Sequence, residues 1–353
     1  MAACLGVADT AQAVVVGGSP ATPNTTAPVG YEDAWNRVGI LGGGSGVYLG
    51  NGYVLSARHV GGGGTFSIDG VSHSRIAGTS ITLSNPGGQD LSSSTDLWIN
   101  RYAVSDSSPL HGLGVLQIRE TTPNAGLGPA ILIGEGLGQA TTTPVSVGPG
   151  LTGYAWGDGE TRRWGETFVS TAGTFTLSGI DILGYQSTTF NNNENRAMAA
   201  NGDSGGGLFH IGGSGLELIG ITHAVSTETG QNANTAAFGN RTIFSDLSNY
   251  LDQINVVEGD LDGDGFVGAS DLELLLANWG QPVTAGDWTQ GDADGDGLVG
   301  ETDLDHVLAH YGAGEPPATT VPEPGVGALL AMGLLTCRRR RPRGFVKDRG
   351  YFP

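Results

Sequence analysis

Short apolar or alternating runs recur between residues 14 and 257, each closed within a few positions by Gly, Asn, Asp or Ser. The clearest lie at 46–49, 53–57, 97–99, 115–118, 130–133 and 218–221. This spacing predicts many short strands joined by tight turns, an all-β body of barrel or sandwich type. The period changes where the body closes. Leu247, Leu251 and Ile254 stand four and three apart, which predicts one amphipathic helix at its end. Beyond it, GDLDGDGFVGASDLELLLANWG is echoed 32 residues later by GDADGDGLVGETDLDHVLAHYG. Each copy reads as an acidic loop followed by a helix, and Leu272, Leu274, Leu275, Leu276, Trp279, Val307, Leu308 and Tyr311 are the residues expected to pack the two helices together.

Composition sharpens that division. The chain has 353 residues, enough for about two domains. Glycine, at 62 residues, supplies turns rather than helix interiors. The formal net charge of -19 repels a polyanion and excludes nucleic acid as a partner. The acidity is concentrated: between Glu258 and Glu315 there are fourteen Asp or Glu and no Lys or Arg, which marks 258–313 as a separate module. The two cysteines, Cys4 and Cys337, lie outside the expected core, so neither a disulfide framework nor a catalytic thiol is indicated. Residues 1–13 end in Ala11-Gln12-Ala13, the small-x-small pattern of a signal-peptidase site, with an apolar region short enough to suggest a truncated signal.

Three positions in the body carry candidate chemistry. His59 directly follows the apolar run 53–57, and Ser204 sits in the glycine-rich turn Asn201-Gly-Asp-Ser204-Gly-Gly-Gly before another strand. A serine hydroxyl is a weak nucleophile until a positioned imidazole takes its proton. The imidazole in turn needs a carboxylate to fix its tautomer. Asp96, heading the run Leu-Trp-Ile, is the preferred carboxylate, with Asp90 and Asp106 as rivals. Glycines around Ser204 allow the N–H groups of Gly202 and Ser204 to converge as oxyanion donors. His73, His111 and His210 read as bystanders.

These residues resemble the trypsin-like (chymotrypsin-fold) serine peptidases across 15–256. Ser-Ala-Arg-His59 is similar to that family's Thr-Ala-Ala-His, Gly202-Asp-Ser-Gly-Gly206 matches its nucleophile motif, and the order His, Asp, Ser, at separations of 37 and 108 residues, is its order. The resemblance implies a double β-barrel with a C-terminal helix over 14–257, an acyl-enzyme mechanism and protein or peptide substrates. It further implies that Val15-Val-Gly-Gly18 is an activating N-terminus whose amine pairs with Asp203; the other reading has 14–16 as the first strand and Asp203 held by its surroundings. Met198 and His223 fall where the family's specificity pocket is lined, and a methionine there suggests a small or apolar P1 residue. A non-catalytic surface protein with a peptidase-like body and an esterase using the same triad are the alternatives.

In the module, Asp260, Asp262, Asp264 and Asp271, and then Asp292, Asp294, Asp296 and Asp303, occupy loop positions 1, 3, 5 and 12, with glycine at 6 and the backbone carbonyls of Phe266 and Leu298 at 7. Carboxylates at this density require a cation, and hard oxygens suit Ca²⁺. The pair resembles type I dockerin repeats, which implies a cohesin-like partner; a metal-rigidified spacer is the other reading. After a linker at 314–320, Val321-Pro-Glu-Pro324, the apolar run 325–337 and four arginines at 338–341 resemble a PEP-CTERM sorting signal ahead of a basic tail, 342–353. That implies an exosortase-type sorting enzyme, transient anchoring and a secreted or cell-surface location.

Overall fold

Two-residue turns set the local register of the body. Asn51-Gly52, Asp69-Gly70 and Ser178-Gly179 all hold both residues at positive φ, between 49° and 82°. That is the turn whose twist matches paired strands, and it needs glycine at the second place. The computed structural model describes residues 14–18, 24–61 and 63–316. The expected signal segment 1–13, the sorting segment 321–341 and the tail 342–353 lie outside the described residues, as does most of the linker.

The chain begins with β1 (Val15–Val16) and a single helical turn, α1 (Glu32–Trp35). Seven strands follow: β2 (Val38–Leu41), β3 (Gly44–Gly50), β4 (Tyr53–Ala57), β5 (Thr65–Ile68), β6 (Val71–Ser74), β7 (Ile81–Ser84) and β8 (Ser94–Arg101). They form one antiparallel sheet in the order β6-β5-β2-β3-β4-β8-β7. The second half contains β9 (Pro129–Gly134), β10 (Leu137–Gln139), β11 (Val145–Gly148), β12 (Leu151–Glu160), β13 (Arg163–Leu177), β14 (Ile180–Ser187), β15 (Ala197–Met198), β16 (Gly207–Gly212), β17 (Gly215–Val225), β18 (Thr235–Ala237) and β19 (Thr242–Ser245). Six of these close a barrel, β13-β14-β19-β17-β16-β9. The expected pair of barrels is therefore one closed barrel and one open seven-stranded sheet. Val47, Leu55, Leu97 and Ile99 from the sheet share a buried cluster with Ile131, Phe209, Leu218 and Ile221 from the barrel, and this common core fixes the two halves against each other.

Two expectations for the body are corrected. Residues 115–118 form no strand; they run extended between the halves, Leu116 N donating to Leu49 O and Arg119 N to Leu218 O. The closing helix is replaced by a 3-10 turn, Leu247–Asn249, followed by i→i+3 bonds from Tyr250 and Gln253. Leu247 and Ile254 are still buried as the spacing requires. The tight winding follows from Asp246, which accepts from Ser248 N, and from Tyr250, whose hydroxyl is held by Asn85 Oδ1 at 2.8 Å. Ser, Asn and Asp in the segment favour such side-chain bonds over an α-helix.

The acidic repeats fold as two loops, each leading into a helix, α2 (Ala269–Ala277) and α3 (Glu301–Ala309). Leu261, Val267, Leu275, Trp288, Val299 and Val307 are their core. Leu276, Trp279, Leu308 and Tyr311, expected to pack between the helices, are exposed instead. The module is bolted to the sheet. Arg101, 1% exposed on β8, donates Nε to Asn51 O, Nη1 to Leu261 O and Nη2 to Asp260 O at 2.8–2.9 Å, with the Tyr53 and Trp288 rings against its guanidinium. Asn51 Nδ2 reaches Val257 O, and Asp106 N reaches Gly295 O.

Candidate active site

Antiparallel pairing of β4 with β8 sets Ala57 opposite Leu97, so the turn that follows β4 lies over the start of β8. His59 stands on that turn with its side chain 45% exposed, and Asp96 is buried beneath it. His59 N donates to Asp96 Oδ1 at 2.9 Å, and His59 Nδ1 lies 2.5 Å from Asp96 Oδ2. One carboxylate therefore grips both the backbone and the ring of the same histidine. Burial alone would raise the Asp96 carboxyl, but hydrogen bonds from His223 and His59 outweigh it and hold it well below the usual carboxylate range. The rival carboxylates, Asp90 and Asp106, make no such bond; the backbone of Asp106 is tied instead to the acidic module.

Ser204 reaches the same place from the other half. Its carbonyl accepts from Ser45 N at 2.7 Å, and Gly205 N donates to Thr222 O on β17 at 2.8 Å. The turn requires glycine at 205: φ is +86°, and a Cβ there would stand 1.9 Å from Ser45 O. Ser204 Oγ donates to His223 O at 3.3 Å, and among the described residues it makes no hydrogen bond to His59. The two side chains share a neighbour, since the His59 ring centroid is 6.3 Å from that of His223. In substrate-free sites the nucleophile–base bond is commonly long and tightens with substrate. The N–H groups of Gly202 and Ser204 donate to no acceptor among the described residues, as oxyanion donors must.

Asp203, directly before Ser204 in the chain, is fully buried. Its Oδ2 accepts from Ala200 N at 2.7 Å and Val14 N at 3.2 Å, and its Oδ1 from Gly136 N at 2.9 Å. Burial pushes this carboxyl up to about 7 against those bonds and the nearby Arg163 charge. The nitrogen at Asp203 is that of Val14, not of Val15 as the sequence suggested. Val15 is committed to the β1–β15 ladder opposite Met198, and the chain delivers the nitrogen one residue upstream.

The pocket residues are also relocated. Met198 is wholly buried among Val15, Tyr154, Phe190 and Ala236, so it is a core residue, and the expectation of a small or apolar P1 residue loses its support. His223 faces inward: its side chain is 0% exposed and its Nδ1 lies 3.0 Å from Asp96 Oδ2. Nothing in the local sequence signalled that contact, which spans 127 residues. Arg163, buried beside Asp203 with Nε and Nη1 unpartnered, was likewise unsignalled. Of the expected bystanders, His73 is bonded to Phe66 O and Ser108 Oγ, and His210 to Glu217 and Leu127 O.

In each acidic loop three carboxylates converge, those of Asp260, Asp262 and Asp271 and those of Asp292, Asp294 and Asp303, with ligand oxygens within 4.8 Å of one another. Asp264 and Asp296 stand apart, accepting from the amides of Phe266 and Leu298. Among the described residues none of these aspartates forms an ion pair with Lys or Arg. Asp260, Asp271, Asp292 and Asp303 are buried, Asp294 is half-buried and Asp262 is exposed, and a converging set of carboxylate oxygens with no cationic side chain paired to it fits a hard divalent cation.

A family model described as Trypsin matches residues 15–253. No curated protein matches. Among solved structures, the NS6 protease from murine norovirus 1 is 15% identical, covering 63% of this chain and 94% of that one at a TM-score of 0.35. The Rv3671c protease of M. tuberculosis in its inactive form is 15% identical, covering 69% and 99% at 0.39. The HtrA-type protease AlgW with decapeptide is 19% identical, covering 58% and 48% at 0.34.

Proposed function

The chain belongs to the trypsin family and is a serine endopeptidase acting on proteins or peptides; from that premise we propose how its residues divide the work. Ser204 Oγ attacks the scissile carbonyl while His59 Nε2 takes its proton and later returns it to the leaving amine. Asp96 keeps the proton of His59 on Nδ1 and stabilises the imidazolium. The N–H groups of Gly202 and Ser204 receive the oxyanion. The observation that carries this assignment is the double grip of Asp96 on the backbone and ring of His59, beside a nucleophile turn with two free N–H groups. Loss of hydrolysis on removing the Ser204 hydroxyl is its test.

Activation is assigned to Val14. A cut after Ala13 would turn its amide into an ammonium 3.2 Å from Asp203 Oδ2. The same cut removes a φ of +46°, a left-handed angle that a β-branched residue rarely adopts. The pH dependence follows. With its carboxyl raised to about 7, Asp203 keeps in the folded state a proton that the unfolded chain releases, so stability falls as pH rises from about 4 to 7. A paired ammonium favours the carboxylate and removes most of that loss. A chain beginning at Val14 should therefore show a flatter urea midpoint between pH 4 and 7 than one retaining the preceding residues, and higher activity at pH 7. Identical profiles for the two chains would count against the pair.

Export and a cell-envelope destination rest on the segments 1–13 and 321–341, with an exosortase-type enzyme as the partner for the second. The acidic loops are assigned to Ca²⁺ held by Asp260, Asp262 and Asp271 and by Asp292, Asp294 and Asp303. A cation binding only the folded chain stabilises it by about 2.7 kcal/mol at a hundred times its dissociation constant. Because the carbonyls of Asp260 and Leu261 hold Arg101 on β8, the peptidase body should share in that gain. Millimolar Ca²⁺ is expected to raise the Tm of the whole chain in one transition relative to EDTA; an unchanged Tm would remove the assignment. A cohesin-like partner is a further proposal, resting on the dockerin-like spacing of the repeats alone.

A further inference from the structure

The nucleophile turn begins with one of only two Asn-Gly pairs in the chain, Asn201-Gly202; the other is Asn51-Gly52. In such a pair the glycine nitrogen can attack the side-chain amide before it, since no Cβ on the second residue bars the approach. The two pairs stand in opposite surroundings. Asn51 is 3% exposed, its Nδ2 is bonded to Val257 O, its carbonyl takes Arg101 Nε, and Gly52 N donates to the Tyr48 hydroxyl at 3.2 Å. Asn201 is exposed, and among the described residues its side-chain amide has no hydrogen-bond partner. Gly202 N likewise donates to no acceptor among the described residues, the property that suits it to receive the oxyanion. The attacking nitrogen and the amide within its reach are thus both unengaged, at the place where the oxyanion is to be held.

We propose that Asn201 is a self-modification site, whose deamidation withdraws an oxyanion donor and so limits the working life of the peptidase. The bond from Gly202 N to Asn201 Cγ forms, the Cγ–Nδ2 bond breaks, and ammonia departs with the proton that Gly202 N gives up. The product is a cyclic imide, whose nitrogen carries no hydrogen and donates nothing. Water then opens the ring. Addition at Cγ gives aspartate, which restores the N–H but sets a carboxylate beside the developing oxyanion. Addition at the main-chain carbonyl gives isoaspartate, which routes the main chain through the side chain and lengthens it by one carbon. The turn has no room for that atom: Asn201 O accepts from Leu137 N at 2.6 Å, and a Cβ on Gly202 would stand 2.7 Å from Gly136 Cα. Gly202 N is displaced, and the oxyanion loses one of its two donors.

The link to activity rests on the oxyanion assignment, and the experiment separates the two. The full chain is kept warm in mildly alkaline buffer, resolved by anion exchange, digested and weighed. The peptide holding 201–202 should gain the mass of an amide turned into an acid, with a separable isoaspartyl isomer, while the peptide holding 51–52 keeps its amide. In the isoaspartyl molecules kcat should be lower by about 100- to 1,000-fold, the effect of one lost oxyanion donor, with KM little changed. Asn201→Gln needs a larger ring that closes far more slowly, so that variant should hold its own starting rate through the same treatment. Ser204→Ala should gain the acid as fast as wild type, so failure of the nucleophile assignment would leave the mass change standing. An Asn201 amide as durable as that of Asn51, isoaspartyl chains with full kcat, or a glutamine variant that decays like wild type would each overturn the proposal. Should the glutamine variant not fold, the first two of these decide on the wild-type chain alone.

Discussion

Ser204→Ala is expected to reduce kcat for peptide hydrolysis by a factor on the order of 10⁶, as loss of the nucleophile does where nucleophile and base act as a unit. The substitution removes one oxygen whose hydrogen bond, to His223 O, is 3.3 Å long. Net hydrogen-bond contributions are about 1 kcal/mol, so folding should be almost untouched. The backbone that shapes the turn stays in place, since Ser45 N, Thr222 O and Gly205 act through main-chain atoms. A residual rate above water should remain from the oxyanion donors. An organophosphonate probe should label the wild-type chain at Ser204 and leave the variant unlabelled. Peptide cleavage persisting at wild-type rates in the variant would refute the enzyme assignment, and labelling of any other residue would move the nucleophile.

Asp96→Asn has the second-largest expected effect, a fall in kcat of about 10⁴-fold with the fold retained. Asparagine is nearly the same size as aspartate, but it offers one acceptor oxygen where the carboxylate offers two. In this structure the carboxylate faces three N–H donors: His59 N, His59 Nδ1 and His223 Nδ1. The amide group of asparagine must therefore oppose at least one of them. Turned toward His59 Nδ1, its NH₂ demands an acceptor and forces the imidazole proton onto Nε2, where it cannot accept the proton of Ser204. Turned away, it meets the backbone N–H of His59 and displaces the turn. The loss should be almost entirely in kcat, because Asp96 is buried and does not reach substrate. A fall of less than tenfold would show that another group orients His59.

The contrast between what was legible and what was not runs along sequence separation. His59, Asp96 and Ser204 were legible because each needs a local device: a turn after an apolar strand, a carboxylate at a strand start, and glycines where the backbone must turn sharply. The acidic loops were legible for the same reason, since six of the eight aspartates singled out do converge. The strands at 46–49, 53–57, 97–99, 130–133 and 218–221 were legible from period alone, whereas 115–118 carries the same apolar content but makes only an isolated bridge, Ile118 to Leu218, and no strand. The closing helix failed because a hydrophobic spacing of four and three is met equally by a string of tight turns once Asp246 and Tyr250 are pinned by side-chain bonds.

By itself the sequence determined an all-β body, the three side chains proposed as the triad, in their order, and two acidic loops with a helix after each. The tertiary structure alone decided which nitrogen meets Asp203, 189 residues away, that Met198 is core, that a second imidazole from 127 residues away shares the Asp96 carboxylate, and that Arg101 clamps the acidic module 160 residues on. Local patterns encode what a short segment must do to satisfy its own backbone and bury its own face. Register between distant strands is set only when whole surfaces pack, and a shift of one residue there exchanges Val14 for Val15 while leaving every local pattern intact.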